Sequence, residues 1–166
     1  FMTLGTITPL DHPPRDERAN SVVMVLGAAG SVGDGLLKAA IEDPEVHKVY
    51  VITRRTSPRI DAGIASGKVK MRIHNDFTDY SGLGDILKDV NTVLWGLGAS
   101  SVGMDDDTYT RIHVDFPVAF VKQWLRTRRD GPMSFHYVTG MGTDPQGDAH
   151  WAREKGRAER ELAELA

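Results

Sequence analysis

The sequence has 166 residues, 40% hydrophobic and 26% charged, the balance of one globular domain rather than of a disordered chain. With 23 acidic against 20 basic residues the formal net charge is −3, which argues against nucleic acid or an anionic membrane as a partner. There is no cysteine, which excludes disulfides, thiolate metal sites and a cysteine nucleophile, and the six histidines show no metal-ligand spacing.

No apolar run approaches the roughly 20 residues of a membrane span. Residues 1–20 are polar and contain prolines, without the apolar centre of a signal peptide, and read as a flexible arm. A single domain over 21–166 and a cytoplasmic location are expected. Within that domain, Ser21-Val22-Val23-Met24-Val25-Leu26 is a short apolar run ending at glycine, the pattern of a strand buried on both faces. A helix follows over 32–42, stopped by Pro44, then a second strand over 47–53. Residues 56–67 read as a loop or short helix, and 68–74 alternate as a third strand nearer an edge.

A short helix is expected over 83–90 and a fourth strand over 91–95. A long helix is expected over 106–128, with Ile112, Val121, Trp124 and Leu125 inward and Pro117 kinking it or marking its real start. The cluster Arg126-Thr127-Arg128-Arg129 at its end suits a solvated helix C-terminus. A fifth strand over 133–139 and a last helix over 149–165 complete the chain. Strict alternation of strand and helix predicts an α/β fold, a doubly wound parallel sheet (Rossmann) in the order 3-2-1-4-5. The ligand crevice is then expected between strands 1 and 4 at their C-terminal ends.

The turn Gly27-Ala28-Ala29-Gly30-Ser31-Val32-Gly33 lies between the first strand and the first helix. In that context the first glycine permits the tight turn, the second lets a pyrophosphate approach the backbone, and the third lets the helix pack close. Free N–H groups and the positive helix end complete a phosphate site, so a dinucleotide cofactor is predicted. The second strand ends Thr53-Arg54-Arg55, with no acid to bond a ribose 2′-hydroxyl. Arg54 and Arg55 suit a 2′-phosphate instead, which favours NADP over NAD.

The spacing Gly-x-x-Gly-x-x-Gly resembles the extended and atypical short-chain dehydrogenases/reductases, and further markers fall in register. Asn75-Asp76-Phe77 is similar to the family's acidic position that meets the adenine ring, and Gly96-Leu97-Gly98-Ala99-Ser100 to its cofactor-lining loop. Thr139-Gly140-Met141-Gly142 sits where the family often has Ser-Ser-x-Gly. The segment from Trp151 to Glu159 matches its Tyr-x-x-x-Lys-Gly-x-x-Glu helix, with Lys155 at the lysine. The set is most similar to the Tat-interacting-protein-like oxidoreductases and covers about residues 21–165.

The resemblance implies that Lys155 holds the nicotinamide ribose and that Thr139 replaces the helping serine. It also exposes a departure. The catalytic tyrosine position is Trp151, whose indole N–H donates a hydrogen bond but is no acid or base near neutral pH. The adjacent His150 is expected to be exposed rather than catalytic. The family continues with a sixth strand and substrate-binding loops, whereas this sequence ends at Ala166. Either it is part of a longer protein, or a partner, such as a second copy, covers the fifth-strand edge.

Three functions remain open. One is an NADP-dependent oxidoreductase of a small carbonyl or alcohol, with its proton supplied by water, Thr139 or another residue. The second is a dinucleotide-binding regulator or sensor without hydride transfer. The third is a reused pocket for isomerisation or cyclisation, lined by Trp95, Trp151 and Met104, although core packing is the simpler role for Trp95.

Overall fold

A computed structural model describes residues 21–127 and 131–166, so the arm at 1–20 and Arg128 and Arg129 of the basic cluster lie outside the described residues. Five strands form one parallel sheet: β1 (Ser21–Leu26), β2 (Val46–Thr53), β3 (Val69–Ile73), β4 (Thr92–Trp95) and β5 (Ser134–Tyr137). Their order is β3-β2-β1-β4-β5, as the alternation of elements predicts.

β1 shows why its apolar run is unbroken. Val23 and Val25 pack beneath α1 (Ser31–Glu42) and α2 (Pro58–Ala65), against Leu37, Ala40 and Ile60. Val22, Met24 and Leu26 face the other way, toward α3 (Gly84–Leu87) and α5 (Phe116–Thr127), with α6 (His150–Glu164) at the margin. Burial on both faces rewards apolar side chains at every position. On the second face Phe120 is fully buried, with Tyr80, Trp95, Trp124 and Phe135 ring centroids 5.1–6.2 Å away. Trp95 is thus a core residue, 1% exposed.

Two expected helices differ, and the 56–67 segment takes the helical one of its two expected forms. The segment at 56–67 resolves as α2, because Pro58 opens it and Ser57 caps it by accepting from the Ile60 N–H at 3.3 Å. The helix expected over 83–90 is a 3-10 turn (Ser81–Leu83) followed by the single turn α3. Gly82 and Gly84 weaken a longer helix there. The helix expected over 106–128 is interrupted: α4 (Asp106–Thr110) runs through a π-helical turn (Arg111–Asp115) into α5, where Pro117 is the second residue. The buried stripe of α5 is Pro117, Phe120, Val121 and Trp124. Leu125 lies at the edge of that stripe and is 38% exposed, and Ile112 is half-buried, so neither belongs to the core as expected.

The turn after β1 is where the backbone packs most tightly. Gly27 has φ +82°, and a Cβ there would lie 2.6 Å from the Gly96 carbonyl. A Cβ on Gly33 would lie 1.9 Å from Gly27 O, whereas one on Gly35 in the same helix would meet nothing within 4 Å. Urea unfolding should separate the two. Gly33→Ala is expected to cost about 3 kcal/mol or abolish folding, and Gly35→Ala to stabilise by about 0.5–1 kcal/mol. Equal effects would mean that α1 does not dock through Gly33.

Candidate functional site

At the C-terminal ends of β1, β2 and β4 lies a crevice of about 170 Å³. The turn after β1 contributes Gly27, Ala29 and Gly30, and the loop after β4 contributes Gly96, Leu97 and Gly98. Thr53, Arg54 and Arg55 line it from β2, and Phe77 from beyond β3. Much of the floor is therefore glycine backbone. The helix α1 opens beside it with Gly30 as N-cap and no side-chain cap, so its first N–H groups point outward without a side-chain acceptor. That is a donor set for an anion.

The cationic side of the crevice is built by local hydrogen bonds. Thr53 is buried, and its Oγ1 donates to Arg55 O at 2.6 Å and accepts from the Arg55 N–H at 3.2 Å. This holds the turn that carries both arginines. Arg55 reaches back to donate from Nη2 to Ala29 O at 3.2 Å, while Arg54 is exposed. Among the described residues no carboxylate lines the crevice. The Asp34 carboxylate on α1 is occupied by Arg59 at 2.8 and 3.1 Å, and that guanidinium holds its carboxyl below the usual range.

Not every residue of the sequence motif faces the crevice. Ser31 is exposed and Val32 is 52% exposed, on the first turn of α1 rather than on the crevice wall. Asp76 is also exposed, its Oδ1 accepting from the N–H and Oγ1 of Thr78 at 2.9 and 2.5 Å. Its buried neighbour Phe77 is the one on the wall. Thr53 and Ile52 were missed by sequence reasoning, although a threonine before a turn signals a side chain that bonds the backbone two residues on.

Thr139, Trp151 and Lys155 lie around the end of β5 and the start of α6. Lys155 Nζ donates to Val138 O at 2.9 Å and sits 4.6 Å from the Tyr137 ring centroid. Burial lowers its pKa, against the opposing pull of Glu159. Thr139 Oγ1 donates to Glu159 Oε1 and lies 2.9 Å from Thr143 Oγ1. Trp151 precedes Lys155 by one helical turn and packs on the loop between β5 and α6, where a Cβ on Gly142 would lie 3.3 Å from its Cη2. His150 is half-buried rather than exposed, with Nε2 3.3 Å from Thr110 Oγ1 and 3.2 Å from Asp106 O. Trp95 is in the core and Met104 half-buried in the loop before α4.

A larger, apolar groove of about 400 Å³ follows the outer edge of β5 between α5 and α6, past Trp124, Leu125, Phe135 and Leu162 to Thr139 and Glu159. Among the described residues no helix is long and apolar enough to cross a membrane, and no three His, Asp or Glu side chains are grouped to hold a metal ion.

No protein-family model matches the chain. Over 144 residues it is 26% identical to leucinostatins biosynthesis cluster protein T of Purpureocillium lilacinum, covering 86% of this chain and 51% of that protein. Among solved structures it is similar to the PhqB reductase domain of Penicillium fellutanum, with TM-score 0.67 and 17% identity over 89% of this chain and 45% of that one. A short-chain dehydrogenase from Streptomyces avermitilis gives TM-score 0.68 and 20% identity, over 88% and 60%. UDP-glucuronic acid 4-epimerase from Bacillus cereus, in complex with NAD, gives 0.68 and 15%, over 87% and 52%. The chain spans about half the length of the relatives it matches. These likenesses show the fold: the chain has the Rossmann-type α/β architecture of these structures, a parallel five-stranded sheet flanked by helices.

Proposed function

We propose that this chain is the dinucleotide-binding part of a short-chain-dehydrogenase-like oxidoreductase, that it holds NADP in preference to NAD, and that its substrate is a small carbonyl or alcohol. The observation that carries this reading is the crevice. An uncapped helix N-terminus, a glycine floor and two arginines converge at the point where the strand order reverses, with no carboxylate on the wall among the described residues. The similarity to a reductase domain, a short-chain dehydrogenase and an NAD-bound epimerase supports the same class of ligand.

In that reading the N–H groups of Ser31 to Gly33 bind the pyrophosphate, the Gly30 N–H being bonded to Gly27 O, and Arg54 and Arg55 bind the 2′-phosphate through charge-assisted hydrogen bonds. Lys155 would hold the nicotinamide ribose. The cofactor supplies or accepts a hydride; the matching proton must travel to or from the substrate oxygen. Trp151 cannot carry it, because an indole N–H does not ionise near neutral pH. That leaves the Thr139 hydroxyl, already bonded to Glu159, water or another residue. Reduction is therefore expected to be slow. Trp151 is also the observation that favours a second reading, in which the chain binds the dinucleotide and transfers no hydride.

Calorimetric titration with both dinucleotides tests the cofactor choice. NADP should bind more tightly than NAD by about 1–3 kcal/mol, a typical value for hydrogen bonds to a charged group. Replacing Arg54 and Arg55 together with Ala should remove most of that difference. Equal affinities in the parent protein would overturn the preference, and binding of neither would overturn the function.

The chemistry is tested by NADPH oxidation over a panel of aldehydes and ketones. Supplying the missing proton donor is typically worth about 10²–10⁴-fold, so Trp151→Tyr is expected to exceed the parent by at least about 10²-fold. Brisk turnover by the parent that Trp151→Phe leaves unchanged would show that another group carries the proton.

A further inference from the structure

The wall of the crevice after β4 is held from behind by a side chain that the proposed function does not use. His113 lies in the π-helical turn, 3% exposed, with its ring stacked on Tyr109 at 4.1 Å between centroids. Its Nε2 is 3.0 Å from Ala99 O and 3.3 Å from Ala99 N, so the ring closes a hydrogen bond to the same loop residue in either neutral tautomer. A Cβ on Gly98 would lie 3.0 Å from His113 Cε1, which puts the ring directly under that glycine. The other ring nitrogen, Nδ1, is buried with no partner among the described residues. An unpaired lone pair there is less costly than an unpaired N–H, which favours the tautomer that donates from Nε2 to Ala99 O.

The ring is placed by a break in the helix. Pro117 has no N–H, so the α-helical bond it would give to His113 O does not form. The helix widens to a π turn, in which the Phe116 N–H bonds Arg111 O. Tyr137 Oη takes the freed carbonyl at 2.9 Å, and Lys155 sits over the Tyr137 ring. A line of contacts therefore runs from Lys155 through Tyr137 and His113 to Ala99, from α6 to the crevice. Burial, helped by the charge of Lys155, pushes the His113 pKa down to about 4, so the imidazole is neutral across the physiological range.

We propose that His113 is the positioning residue of the loop at 96–99: bonded to Ala99 and packed beneath Gly98, it fixes the β4 wall of the crevice, and the grip on the dinucleotide depends on it. The dependence on dinucleotide rests on the proposed function; the role in the loop does not.

Two readouts on the whole chain test this, amide hydrogen exchange at Gly98 and Ala99 without nucleotide, and NADPH affinity by titration. His113→Phe keeps a ring against Tyr109 and Gly98 but removes the bond to Ala99. It is expected to speed exchange at Ala99, and to raise the NADPH Kd, each on the order of tenfold, the worth of one hydrogen bond. His113→Gln, which restores a donor and acceptor, should recover most of both. Gly98→Ala leaves His113 in place but presses the loop off its ring, and should weaken NADPH in the same way. Unchanged exchange and affinity in His113→Phe would overturn the proposal. So would faster exchange throughout the protein in both His113 variants with no rescue by Gln, since that marks a general packing role. If His113→Phe does not fold, Gly98→Ala decides by the same two readouts. If the parent binds no dinucleotide, the proposed function fails and exchange at Ala99 still decides the role of His113.

Discussion

Three stretches of backbone meet at the end of β1 more closely than any side chain allows. Gly27 touches the backbone of Gly96 and Leu97 where a Cβ would stand at 2.6 Å, and Gly33 does the same to Gly27 at 1.9 Å. The crevice depends on that contact. It brings the start of α1, the end of β1 and the loop after β4 together, and it leaves the meeting place lined by N–H groups rather than side chains. The sheet then supplies the cations: β2 lies beside β1, so Arg54 and Arg55 emerge next to the uncapped helix end. In the proposed function, charge and geometry suit the same ligand, a bent polyanion with an extra phosphate near the end of β2.

The proton chemistry is less complete than the binding site. Lys155 is half-buried, bonded to Val138 O and lying over the Tyr137 ring. The residue one turn before it is an indole, and the nearest hydroxyl of the resemblance, Thr139, already donates to a carboxylate. In the proposed function, binding and turnover are therefore separable. The groups that would grip phosphate in that function are backbone N–H groups and arginines, while the group that would move a proton depends on a single side-chain identity.

Much of this was legible in the sequence, for identifiable reasons. Burial on both faces leaves an unbroken apolar run at Val22–Leu26, and alternation of elements leaves one plausible strand order, so sheet and crevice could be read directly. Glycine spacing showed the tight turn because sterics admit no other residue at Gly27 and Gly33. What escaped was decided by interactions between segments distant in sequence. Pro117 was recognised as a disturbance, but the π turn it induces, and the placing of His113 under Gly98, needed Tyr137 to take the freed carbonyl. Leu125 lies one turn beyond Val121 on α5, at the edge of the buried stripe rather than within it, and is 38% exposed. Asp76 matched a family position, but a local bond to Thr78 holds its carboxylate, and the aromatic ring beside it reaches the crevice.

The central claim is that the glycine crevice, rather than the roomier apolar groove along β5, is the ligand site. Backbone amide shifts followed by NMR during an NADP titration test it most directly. The largest changes are expected at Gly27 to Gly33, Arg54, Arg55 and Gly96 to Ala99. Changes confined to Trp124, Phe135 and Leu162 in the groove, or no change at saturating NADP, would contradict it.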